Sequence, residues 1–66
     1  MTTPILTAET ITAHDLRTLQ AEADAAGDTE ISGTCELAIY GVPADVQWSA
    51  AQECADAINA ARAMAD

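Results

Sequence analysis

Cys35, Cys54, His14 and Asp15 are the side chains with which this chain could attempt covalent chemistry: two thiols, the only imidazole, and a carboxylate beside it. A cysteine nucleophile needs a base within hydrogen-bond reach and a third group to orient that base. The spacing works against such a triad. His14 falls in the first turn of a predicted helix, next to its cap, whereas both cysteines fall on the inward faces of two later helices. His14 therefore reads as a solvated surface imidazole, and the cysteines as small buried hydrophobes. Each thiol lies about one and a half turns from the connection between its helices, and in an antiparallel pair that permits a disulfide without requiring one. Zinc has no ligand set, since neither a CxxC nor an HxxxH spacing occurs. No Gly-rich phosphate loop, HExxH or GxSxG motif is present either. A chain of 66 residues also has little interior from which to build an enclosed pocket. The expectation is a protein that is not an enzyme and that needs no cofactor or metal.

The stronger chemical signal is charge. Eleven Asp and Glu stand against two Lys and Arg, a formal net charge of −9, in a chain that is 50% hydrophobic. A disordered acidic tail would lack that apolar half, so the chain is expected to fold and present a negative surface. Such a surface repels phosphates and anionic lipid, which disfavours direct contact with nucleic acid or membrane, and it attracts basic proteins. Asp24, Asp28 and Glu30 bracket one turn and form the densest group; Glu36, Glu53 and Asp56 complete the candidate acidic contacts. A solvated face, with some carboxylates serving only as helix caps, is the plainer account of the same residues. Tyr40 and Trp48 are the candidate aromatic anchors, with Leu37 beside Tyr40. Trp48 either folds back over a core short of bulk or stands exposed for a partner.

These residues must be positioned by short helices. Thr12 and Asp15 have the spacing of a capping box, Ile11 and Leu16 that of a hydrophobic staple, and Gly27 supplies a stop, which predicts a helix over 13–26. Its apolar stripe is Leu16, Leu19, Ala23 and Ala26. Residues 29–40 fit a helix through Ile31, Cys35, Ala38 and Ile39; they also alternate as a strand over 30–40 would. A lone strand would have no partner elsewhere in the chain, so helix is the preferred assignment. As a helix this segment carries a second apolar stripe, Gly33, Leu37 and Tyr40, which must be covered by a neighbour or offered to another protein. Pro43 bars helix at Val42, and a third helix over about 46–65 begins at Asp45 or at Ser49, where Ser49 and Gln52 have capping-box spacing. Its inward face is Ala50, Cys54, Ala57, Ile58, Ala61 and Ala65, with Glu53, Asp56 and Asn59 pointing away and Arg62 four residues before Asp66. The expected architecture is one all-α three-helix bundle spanning residues 1–66, with residues 1–10 as an irregular lead-in; the alternative is α+β with a strand at 30–40. Sixteen alanines and no Phe make a thin core, so self-association is a further possibility at this size. Met1 to Pro4 lack a basic leader, and no apolar run approaches a membrane span, which points to a cytoplasmic protein.

The string Ile11-Thr12, Leu16-Arg17-x-Leu19, Ala26-Gly27-Asp28, Cys35, Cys54-Ala55 and Arg62 resembles a group of short proteins carried by phages and plasmids. The likeness covers most of the chain, and Val42 to Ser49 stands as an insertion relative to the usual pattern. It implies a mobile-element setting and a small helical fold, not a mechanism. Together with the charge it favours an inhibitor of a host nucleic-acid-handling complex, of the anti-CRISPR or anti-restriction type, acting as a DNA mimic on a basic surface. A homodimeric subunit using the Gly33/Leu37/Tyr40 stripe, or an antitoxin-like adaptor, is the alternative.

Overall fold

The computed structural model describes residues 5–65; Met1 to Pro4 of the lead-in, and the Arg62–Asp66 spacing, fall outside that range. Three helices follow one another: α1 (Ala13–Ala26), α2 (Thr29–Tyr40) and α3 (Ala44–Ala65). There is no strand among the described residues, and the all-α bundle is the fold.

Local chemistry sets the helix ends. The Asp15 amide donates to Thr12 Oγ1 and the Thr12 amide donates to Asp15 Oδ2, each at 3.1 Å, closing the capping box. At the other end Gly27 takes the left-handed conformation with φ 75°, where a side chain would be strained. The amide of Asp28 then reaches the Ala23 carbonyl and that of Gly27 the Asp24 carbonyl, a Schellman closure. Asp28 at once caps α2, accepting from the Ile31 amide at 3.1 Å. Gly41 ends α2 by donating to the Leu37 carbonyl at 2.7 Å, so close that a Cβ at this position would collide with the same oxygen.

α3 starts earlier than expected. The Pro43 carbonyl accepts from the amides of Val46 and Gln47, and the helix runs from Ala44. No capping box forms at Ser49, which lies inside the helix, and the Gln52 amide group is engaged elsewhere: its oxygen accepts from the Ala8 amide and its nitrogen donates to Asp56. Asn59 does not point away. It holds the Leu6 backbone on both sides, accepting from the amide at 3.0 Å and donating to the carbonyl at 2.8 Å. Two side-chain amides of α3 thus fasten an irregular lead-in that has no helix of its own.

α2 is the middle element. It packs along both α1 and α3, which scarcely touch each other, and the Cα trace is only 16 Å thick in its thinnest direction. Small side chains make this possible. The buried set is Leu16, Ala23, Cys35, Ala38, Ala50, Ala51, Cys54 and Ala55, so Leu16 is its single large member. Ala8, Ile11, Leu19, Ile31 and Ile39 close its edges. The expected inward face of α3 holds at Ala50 and Cys54 and fails at Ala61 and Ala65, which are exposed. With 22 residues against 14 and 12, α3 is about 12 Å longer than α1 and about 15 Å longer than α2, and it overhangs them. Ala26, at the end of the α1 stripe, is exposed as well.

Candidate interaction surface

The outward face of α2 reads Glu30, Gly33, Leu37, Tyr40 at helical spacing. Neither neighbour covers it: Leu37 is 49% exposed and Tyr40 71%. Gly33, Glu36, Leu37, Tyr40 and Gly41 line a shallow groove there. Leu37 also lines a second groove with Asp45, Val46, Ser49, Ala50 and Glu53 of α3, so the two form one continuous surface across the α2–α3 hairpin. Val42, in the connection, is 84% exposed. Its lining mixes the apolar Leu37, Tyr40, Val46 and Ala50 with the carboxylates Glu36, Asp45 and Glu53.

The fold therefore sorts the sequence-derived candidates into separate places. Leu37 and Tyr40 come together with Glu36 and Glu53. Asp24, Asp28 and Glu30 sit at the far end of α2, where two of them have structural tasks: Asp28 caps the helix and Asp24 accepts from the Ser32 hydroxyl. Asp56 pairs with Gln52 near the lead-in. Trp48 stands apart from Leu37 and Tyr40, over a groove whose other walls include Ala8, Ile11, Leu16, Ala38 and Ala51. It is half-exposed, covering the core edge with one part of the indole and meeting solvent with the rest. Asp45, Val46 and Ser49 were absent from the sequence-derived set. Val46, Ser49, Ala50 and Glu53 share one face at i, i+3, i+4 and i+7.

The residues with catalytic chemistry are not brought together. Cys35 and Cys54 have no solvent exposure and form the centre of the core, with Cys54 Sγ donating to Cys35 Sγ across 3.6 Å. Burial pushes both thiols above their ordinary value, Cys54 to about 12, so the thiolate a nucleophile requires is suppressed. His14 is exposed, and it lines an open groove of about 370 Å³ between α1 and the overhang of α3 with Asp15, Glu22 and Arg62 over a floor of Leu19 and Ile58. Its neighbours there are engaged. The Thr18 hydroxyl donates back to the His14 carbonyl at 2.8 Å, and Asp15 is held by Thr12. Hydrogen bonds from the Thr12 backbone and side chain, with a lesser contribution from Arg62, keep the Asp15 carboxyl below its ordinary value. Sequence reading missed this groove, although His14, Thr18 and Glu22 recur every four residues along α1. Among the described residues no group of three or more His, Cys, Asp or Glu is placed to hold a metal ion, and no helix is long and apolar enough to cross a membrane. Comparison with known proteins gives no match to a family model, a curated protein or a solved structure.

Proposed function

We propose that this chain is a non-enzymatic interaction protein that docks the outer face of its α2–α3 hairpin onto a basic protein whose groove otherwise holds nucleic acid. The observation that carries the reading is an exposed Leu37 shared by two grooves, one with Tyr40 and Glu36 and the other with Val46, Asp45 and Glu53, on a chain of net charge −9. The apolar side chains supply anchoring area at the centre of the contact. The carboxylates meet Lys and Arg through charge-assisted hydrogen bonds and speed the encounter. Such a surface competes with nucleic acid for a basic groove and does not bind nucleic acid or membrane itself. The setting that fits is a mobile element whose product acts in the host cytoplasm against a CRISPR or restriction-type complex.

The test is capture of the tagged protein from nuclease-treated bacterial lysate at low and high salt, with competition by single-stranded DNA. The expected catch is a nucleic-acid-binding protein that salt and DNA both displace. It is also lost by a Leu37→Ala, Tyr40→Ala double variant and weakened by Glu36→Gln with Glu53→Gln. Bait alone at either salt, or a catch indifferent to those substitutions, overturns the proposal. Replacing Asp24, Asp28 and Glu30 by amides asks whether the α1–α2 turn takes part. Asn is as good a cap as Asp, so that variant keeps α2 intact.

Exposure of the Gly33/Leu37/Tyr40 stripe also favours a second reading, a homodimer through the same face. It would press the carboxylate edges of two chains of charge −9 together, which argues for a partner of opposite sign. Light scattering decides: a dimer that Leu37→Asp converts to a monomer supports the second reading, and an unchanged mass removes it.

A further inference from the structure

The candidate surface is carried by the loop of chain that Cys35 and Cys54 enclose: Leu37, Tyr40, Val42, Val46 and Glu53 all lie between them. The two sulfurs are 3.6 Å apart on adjacent helices, 19 positions apart in sequence, and both thiols are free. A disulfide needs them at about 2.05 Å. Bonding requires the sulfurs to approach by about 1.5 Å, in a core cluster whose other buried members are Leu16, Ala38, Ala50 and Ala51. The two cysteines are also the largest fully buried side chains of the protein, so a covalent link here joins α2 to α3 at the centre of the core and not at a frayed end.

We propose that Cys35 and Cys54 are an oxidisable dithiol: a small-molecule disulfide converts them to an intramolecular disulfide that staples the α2–α3 hairpin and fixes the surface between them. One protein thiolate attacks the oxidant's S–S bond, expels a small thiolate and leaves a mixed disulfide. The second protein thiolate then attacks the protein sulfur of that mixed bond and expels the other small thiolate. Two protein thiols lose two protons and two electrons, and the oxidant leaves as two thiols. Neither sulfur has any exposure, so the exchange proceeds through transient opening of the α2–α3 interface and accelerates under mild denaturant. Small domains with thin cores gain most from such staples.

The test uses the full chain and oxidised glutathione, with acid quench, alkylation of remaining thiols and intact-mass measurement. The expected product is an unalkylated monomer about 2 Da lighter than the reduced chain, giving a single cross-linked peptide that contains Cys35 and Cys54. Its Tm is expected to rise by about 5–15 °C and to return on reduction. Formation is expected to speed up several-fold in sub-denaturing urea. A doubly alkylated native chain, under conditions in which the urea-unfolded chain oxidises, overturns the proposal; so do products limited to intermolecular dimers or glutathione adducts, and so does a lowered Tm. Cys35→Ala serves as a control for the cross-link, and the mass measurement on the unaltered chain decides even if that variant does not fold.

Discussion

The interior of this protein and the outer face of its α2–α3 hairpin have exchanged their usual contents. The interior is alanine and cysteine around one leucine, while Leu37, Tyr40, Val42 and Val46 stand in solvent. A sequence arranged only for stability would turn that bulk inward, since each large apolar side chain contributes about 1.5–3 kcal/mol when fully buried. The outer placement costs the fold its best packing material and creates a clustered apolar face with a charged edge. That combination serves contact with another molecule better than it serves folding. The lesson is that composition alone misassigns these residues: the same leucine codes for the core at one position and for the surface at another, and helical phase decides which.

Leu16 and Leu37 make the sharpest test, being the same side chain on opposite sides of this division. Leu16→Ala is expected to cost about 2–5 kcal/mol, enough to unfold much of a domain this small. Leu37→Ala is expected to stay within about 0.5 kcal/mol. Urea denaturation followed by circular dichroism measures both. Comparable losses at the two positions, with a midpoint that depends on protein concentration, would mean that the outer face is a folding interface between copies.

The core can also be probed by titration. Cys54 ionises near 9.0 when unfolded and near about 12 when folded, because the core disfavours the thiolate; Cys35 shifts in the same direction. Above pH 9 the unfolded chain therefore holds fewer protons than the folded one, so stability is complete below that pH and is lost as pH rises from 9 toward 12. The slope approaches about 1.4 kcal/mol per pH unit for one thiol. Urea midpoints at pH 8 and pH 10.5 give the difference, expected at roughly 2 kcal/mol. Cys54→Ala should reduce the dependence and leave the share due to Cys35; an unchanged slope in that variant would place the alkaline sensitivity in groups other than Cys54.

Most of the helices were legible because their ends are written in local chemistry. Thr12 with Asp15, Gly27, Asp28 and Gly41 act on atoms within a turn of themselves, so the bounds of α1 and α2 follow from spacing. For α3 the start at Asp45 lies one residue from the observed Ala44, while the alternative at Ser49 fails: Ser49 and Gln52 have the right types for a capping box, yet the Gln52 amide answers the distant Ala8. Asn59 fails for the same reason: its partner, Leu6, is 53 positions away. Non-local partners leave no trace in spacing. The candidate surface was half legible, since the α2 stripe of Gly33, Leu37 and Tyr40 stands out at helical period, while its α3 half is added by the packing of α3 beside Leu37, a non-local contact.

Those non-local amides allow a middle-sized test of how the core is sealed. Asn59→Ala removes both bonds to Leu6 and is expected to cost about 1–2 kcal/mol. Trp48 reports the event, because its groove shares Ala8 and Ile11 with the lead-in. Release of the lead-in should shift its fluorescence to the red and speed hydrogen exchange at the Leu6 amide. Faster exchange without loss of stability would separate the lead-in from the core proper.

The smallest effect belongs to a surface group whose work is structural, the counterpart of the exposed apolar face. Asp15 is partly exposed and yet bonded to Thr12 in both directions, which holds its carboxyl below the ordinary 3.8. A carboxyl depressed by folding adds stability above its unfolded value, and that stability disappears as pH falls through the folded value. Asp15→Asn should therefore cost a few tenths of a kcal/mol to about 1 kcal/mol at pH 7. On titration toward pH 2 the gap between wild type and variant should narrow. Thr12→Ala, which removes the hydroxyl from the other half of the box, should cost about 1 kcal/mol at neutral pH. Persistence of the Asp15→Asn deficit at pH 2 would mean that the carboxylate matters by its shape in the capping box and not by its charge. Either result leaves Leu37 and Tyr40 on the exposed face of α2, which is why their tests are tests of binding.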